Sequence, residues 1–129
     1  MSKADWEITN KPYDIRERLF LFACLIVRIV QFLQSRGSVG AALSYQVLKA
    51  GTSAGANYEE ADDGSSPRDA LAKKRIVLRE LKETNFRLRV LRRTGLLTAD
   101  QDSVVKESAE LVRIVAKIIR NSAVDSDET

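Results

Sequence analysis

The chain has 129 residues, 44% of them hydrophobic and 30% charged, with a formal net charge of +3 and a pI near 9.2. That is the length of one domain with material for a real core, and two prolines and six glycines are too few for the turns of a β-sandwich. The single cysteine, Cys24, excludes an internal disulfide, and the absence of histidine removes the commonest general base, the commonest metal ligand and every Ser/His or Cys/His pair.

Residues 1–13 read as a lead-in. Their polar, acid-bearing composition lacks the basic and then apolar segments of a secretory leader, so a cytoplasmic location is expected. Trp6 and Ile8 are apolar enough to dock, and Pro12 separates them from the first long apolar run. A bundle domain is expected over residues 14–121, with a small acidic tail, frayed, over 122–129.

Asp14 suits an N-cap, with Glu17 placed to complete a capping box. The first helix is predicted over residues 15–35. Ile15, Leu19, Phe22, Ile26, Ile29 and Leu33 recur at spacings of four and three, the pattern of a helix packed lengthwise on neighbours. Phe20, Leu21, Leu25, Val30 and Phe32 add apolar surface outside that seam. A membrane span needs about 20 apolar residues; this run is shorter and contains Arg28. A helix apolar nearly all round is buried on more than one side, and in a chain this small the second side is expected to meet another subunit.

Gly37 fits the end of that helix and Ser38 the cap of the next, predicted over residues 39–60. Its buried side comprises Leu43, Val47, Ala50, Gly51, Ala54 and Tyr58. Ala50/Ala54 and Gly51/Gly55 interleave at a spacing of four, which lets a neighbouring backbone approach closely. Each glycine costs about 1 kcal/mol of helix propensity, which close packing offsets. A flexible Gly/Ser/Ala loop is the competing reading. Glu59, Glu60, Asp62 and Asp63 lead into a connection. Their spacing matches no calcium loop, and a solvated turn is the simpler account than a carboxylate metal site.

Ser66 and Pro67 are the cap and first residue of a third helix, over residues 67–93. Ala70, Val77, Leu78, Leu81, Asn85, Leu88 and Leu91 fall on one broad side. Beside it, within an arc of about 80°, lie Arg68, Arg75, Arg79, Lys82, Arg89 and Arg93, with Phe86 in their midst. Ten Lys/Arg less three acids (Asp69, Glu80, Glu83) give this helix +7, against +3 for the whole chain. Gly95 ends it, and Leu96 and Leu97 fold back. Thr98 caps the last helix with Gln101 in the box position, and Val104, Leu111, Val115 and Ile118 form its seam, widened by Val105, Val112, Ile114 and Ile119. Four helices joined by short turns make an all-α, antiparallel up-down-up-down four-helix bundle.

Leu48-Lys49 with the run from Ser53 to Ala61 (SAGANYEEA) resembles the "KS…aNIaEG" stretch of the four-helix bundle family also called the 23S rRNA intervening-sequence proteins. Residues 78–84 (LRELKET) and 110–119 (ELVRIVAKII) are similar to segments of that family's third and fourth helices. The likeness covers most of residues 14–121. The chain departs from the family in carrying Glu60-Ala61 where Glu-Gly is common, and in its basic third helix. The resemblance implies homo-oligomers, typically pentameric rings. A related branch, the accessory proteins of diversity-generating retroelements, consists of basic pentamers that bind nucleic acid and partner a reverse transcriptase.

A basic stripe repeated around a ring presents many phosphate contacts at once, so the expected function is non-enzymatic binding of RNA or DNA through Arg68, Arg75, Arg79, Lys82, Phe86, Arg89 and Arg93. Phe86 suits either stacking on an unpaired base or the edge of the core. No base readout is expected, and no cofactor or metal. The alternative is an oligomeric protein-interaction scaffold with no nucleic-acid contact. An enzyme would rely on carboxylates alone: Glu59 and Glu60 point apart, and Glu80 and Glu83 are better explained by ion pairing with Arg79, Lys82 or Arg87. Binding to a membrane surface ranks below nucleic acid, because the third helix has no bulky apolar face free of the core.

Overall fold

The computed structural model describes residues 2–64 and 66–127, with side chains as far as residue 122; the end of the acidic tail lies outside the described residues. Four helices make up the fold: α1 (Ile15–Gln34), α2 (Ser38–Asp62), α3 (Pro67–Arg93) and α4 (Asp102–Asp127). Single 3-10 turns lie at Lys3–Trp6 and Ala99–Gln101, and no strand occurs among the described residues. Each helix packs chiefly on the next in sequence, α1 on α2, α2 on α3 and α3 on α4, while α1 and α4 meet far less than these sequential neighbours do. Short connections between sequential neighbours make the arrangement up-down-up-down. No helix among the described residues is long and apolar enough to cross a membrane.

The helix ends follow local chemistry. Asp14 accepts a hydrogen bond from the Arg16 amide at 3.0 Å, but Glu17 makes no reciprocal bond, so the cap is one-sided. Ser66 accepts from the Asp69 amide at 3.2 Å, and Pro67 occupies the first turn, where its missing N–H costs nothing. Ser38 does not cap α2. Gly37, at φ +97°, is the N-cap and Ser38 the first helical residue, with the Ala41 amide donating to the Gly37 carbonyl at 3.0 Å. A side chain at Gly37 would strain that left-handed backbone. Thr98 and Gln101 form the expected capping box, and it encloses the 3-10 turn that leads into α4. The helix backbone of α4 runs on to Asp127, past the change of composition at residue 122.

The stretch from Ser38 to Asp62 is helical throughout, which overturns the loop reading. Its glycines divide into two kinds. A Cβ on Gly51 would stand 2.7–2.8 Å from the γ-carbons of Ile26, which is fully buried and β-branched and so has nowhere to turn. A Cβ on Gly55 would meet Leu19 at 3.6 Å, an ordinary contact. Only Gly51 is therefore required by the α1–α2 approach at mid-helix. Gly40 is required at its start, where a Cβ would strike the Leu33 carbonyl.

The core contains Leu19, Phe22, Ile26, Ile29 and Leu33 of the α1 seam, with Ile15 half-buried at its edge, Val47, Ala54 and Tyr58 of α2, Val77, Leu81, Leu88 and Leu91 of α3, and Val104, Leu111 and Val115 of α4. Ile119, not Ile118, closes the α4 seam, because the register runs Leu111, Val115, Ile119 in steps of four. The lead-in is part of this core. Trp6 is 1% exposed and meets the Phe32 ring edge-on at 6.0 Å. The Ser103 hydroxyl donates to the Trp6 carbonyl at 3.0 Å, and Arg28 donates to the Asp5 carbonyl at 3.2 Å. The N-terminal segment thus bridges α1 and α4, which meet far less than sequential neighbours do.

Beneath it lies a charged cluster. Arg18 holds the buried Glu107 with two hydrogen bonds, at 2.8 and 2.9 Å, and also bonds Glu110. Lys11 reaches Glu107 at 3.1 Å and Glu110 at 3.0 Å. Burial pulls the Lys11 ammonium down in pKa, and its hydrogen bonds to Glu110 and Glu107 more than restore it, leaving it raised. The hydrogen bond from Lys11, then that from Arg18, holds the Glu110 carboxyl below the usual range.

Candidate nucleic-acid interface

α3 is amphipathic in an unusual sense: one side is apolar and the other is cationic. Val77, Leu81, Thr84, Leu88 and Leu91 are buried. By helical geometry the arc of Arg68, Arg75, Arg79, Lys82, Phe86, Arg89 and Arg93 is centred about 160° from them, across the helix and not merely beside the core. All seven are exposed. Their separation is a direct result of the sequence pattern, in which the apolar and basic positions each step by three and four but out of phase.

Among the described residues none of these six cations enters an ion pair. The ion pairs of α3 lie at its flanks: Lys73 with Glu60 of α2 at 3.6 Å, and Arg92 with Asp102 of α4 at 2.7 Å. Glu80 and Glu83 make none within the described residues, so intrahelical pairing is not what occupies the basic arc. A row of solvated, unpaired cations keeps its field for an outside anion.

Two members of the arc are held in place. The Arg89 Nε donates to Asn85 Oδ1 at 2.9 Å, and Asn85 donates in turn to the buried Ser108 Oγ of α4 at 2.9 Å. The Arg89 guanidinium carbon stands 5.8 Å from the Phe86 ring centroid, close enough for cation–π attraction. Phe86 is 57% exposed and shares a small cleft with Leu43, Val47, Arg87, Val90 and Leu91, which places it at the edge of the α2–α3 seam. Asn85 lies on the border of the core and serves as the link between the arc and α4.

The acids after α2 are tied down separately. Arg16 meets Asp62 at 3.8 Å and Asp63 at 3.4 Å, so they help bring the end of α2 to the start of α1. Among the described residues no group of three or more acids or thiols is placed to hold a metal ion.

α4 carries a second set of cations. Lys106, Arg113, Lys117 and Arg120 follow at steps of seven, four and three, and all are exposed. Net charge hides them, because Asp102, Glu107 and Glu110 of the same helix offset them in a count. Those acids are engaged elsewhere, with Arg92, Arg18 and Lys11. The periodicity that marks α3 is the signal that would find the α4 set.

The chain is similar to a solved structure described as a protein of unknown function from the S23 ribosomal protein family of Bacteroides thetaiotaomicron VPI-5482. The two share 33% identity over 82% of this chain and 98% of that one, with a TM-score of 0.74. No family model and no curated protein matches the chain.

Proposed function

This chain belongs to the S23 ribosomal protein family, and we propose that it is a non-enzymatic, cytoplasmic nucleic-acid-binding protein that acts as a homo-oligomer through the basic face of α3. One observation carries this reading: six exposed cations stand on one side of a helix, opposite its buried side, and none is paired within the described residues. A polyanion gives such a row what it lacks. Each phosphate neutralised releases condensed counterions, which supplies affinity without base recognition.

Assembly into a ring, a pentamer by resemblance, repeats the stripe and multiplies the contacts at high effective concentration. Supporting self-association, α1 leaves Phe20 55% and Val27 42% exposed, and α2 leaves Val39 and Tyr45 exposed. The resemblance to the retroelement accessory proteins adds a reverse transcriptase as a partner; that to the intervening-sequence proteins adds ribosomal RNA as a ligand.

The test is fluorescence anisotropy with labelled RNA and DNA across a salt series, with the Arg75→Glu/Arg79→Glu/Arg89→Glu variant alongside. Binding that weakens steeply with salt and is lost in a folded, normally assembled variant supports the proposal. No binding by the unaltered protein even at low salt overturns it in favour of a protein-binding scaffold.

A further inference from the structure

We infer that the ligand is a double-stranded nucleic acid, held by two cationic rails, the second of which is Lys106, Arg113, Lys117 and Arg120 of α4. The inference rests on the proposed function and extends it to a ligand class and to residues on another helix.

The α4 cations fall within an arc of about 60°. That arc lies across the helix from its buried Val104, Leu111, Val115 and Ile119. The α3 arc likewise lies across from its own buried residues. On each helix the residues that join the pair, Asn85 and Arg92 on α3 and Ser108 and Asp102 on α4, are centred about 90° round from the cationic arc, with the buried residues on their other side, so both arcs flank the α3–α4 junction on its outer face. The pair is fastened at two heights, by Asn85 with Ser108 and by Arg92 with Asp102. Among the described residues none of the four α4 cations enters an ion pair, and between Lys106 and Arg120 no acid falls within their arc.

The dimensions suit a duplex. From Arg68 to Arg93 the first rail runs about 38 Å, and from Lys106 to Arg120 the second runs about 21 Å, at 1.5 Å per residue. Two packed helices together span about 20 Å, from axes about 9 Å apart and helices about 11 Å wide. Rails on such a pair can meet phosphates on both walls of a groove about 12 Å across. Each rail stands on a single continuous helix, whose backbone is already ordered. A duplex, with a persistence length of about 500 Å, is straight on this scale already, whereas a single strand must be ordered to follow them.

The aromatic inventory points the same way. Binding to single strands relies on aromatic platforms for successive bases. The exposed face of α3 and α4 offers one ring, Phe86, already covered on one side by Arg89, and α4 has no aromatic residue.

The experiment compares the full chain with two variants, Arg113→Gln/Lys117→Gln/Arg120→Gln on α4 and Arg75→Glu/Arg79→Glu/Arg89→Glu on α3. Each is titrated with 20-base-pair DNA and RNA duplexes and with the matching single strands over a salt series, with circular dichroism to verify the fold. Glutamine keeps helix propensity, so the α4 variant should fold. The unaltered chain is expected to prefer both duplexes to single strands by at least about tenfold. The α4 variant is expected to lose about 2.7 from its log–log salt slope on duplex DNA, that is about 0.9 for each of three phosphate contacts. Its single-strand binding should change much less. An unchanged duplex slope in the α4 variant, with binding lost in the α3 variant, overturns the two-rail surface and leaves the proposed function standing. Equal or tighter binding of single strands overturns the duplex assignment. Loss of nothing in the α3 variant overturns the proposed function itself.

Discussion

The two halves of this bundle, α1–α2 and α3–α4, share one core and differ in what they show to water. α1 and α2 approach closely, with Gly51 against Ile26, and leave rings and aliphatic groups exposed at Phe20, Val27, Val39 and Tyr45. α3 and α4 present Arg and Lys along their outer faces. Core packing explains neither surface, since each is made of residues that the core does not use. The lesson is that a fold of this kind fixes which side of each helix is free, and the outward residues then give each side its own chemistry.

The contrast is open to direct attack. The largest effect is expected from Arg75→Glu/Arg79→Glu/Arg89→Glu. At about 0.1 M salt the loss of three phosphate contacts should weaken binding about 500-fold in anisotropy titrations, before any added repulsion. Assembly should be untouched, as measured by light scattering. The opposite pattern is expected from Phe20→Lys/Val27→Lys: smaller assemblies by light scattering, with each protomer still folded and its intrinsic affinity for short duplexes retained. If one variant removed both properties, the division of labour would be wrong.

Within the α1–α2 half, Gly51→Ala should destabilise by about 1–3 kcal/mol in denaturant titration, because Ile26 cannot yield. Gly55→Ala should stabilise by about 0.5–1 kcal/mol, since its Cβ has room and alanine favours helix. A like sign for the two would refute the difference in close approach.

The smallest effect concerns the junction of α1, α4 and the N-terminal segment. Glu110 has a lowered folded-state pKa, so its contribution to stability is present above its unfolded value, about 4.3, and is lost as the pH falls through the folded value. Lys11 has a raised one, so its contribution is complete below about 10.4 and is lost as the pH rises beyond. Lys11→Met should therefore lower the melting temperature slightly between about pH 5 and pH 10, and progressively less as the pH falls through the lowered Glu110 value. A difference independent of pH would indicate lost packing instead of a lost ion pair.

Most helix boundaries were legible because caps are local chemistry. Ser66-Pro67, Gly95 and Thr98 with Gln101 act within four residues of themselves, and so does Asp14. Ser38 was misleading for the same reason: Gly37 can adopt φ +97° and take the cap position, so serine simply continues the helix. The α3 stripe was legible because periodicity places side chains on a helix before any neighbour is known. The α4 stripe carried the same periodicity but was masked by acids whose partners lie on other elements.

Sequence alone determined the four helices, their order, and the cationic arc on the third, since propensity, capping and a period of 3.6 are properties of short segments. Tertiary structure decided which cations remain unpaired, that Glu107 is buried against Arg18, and that Trp6 bridges α1 and α4. Arg18 and Glu107 are 89 positions apart, and Trp6 and Ser103 are 97 apart. No local pattern records such pairings, because they depend on which helix ends meet once the core has closed.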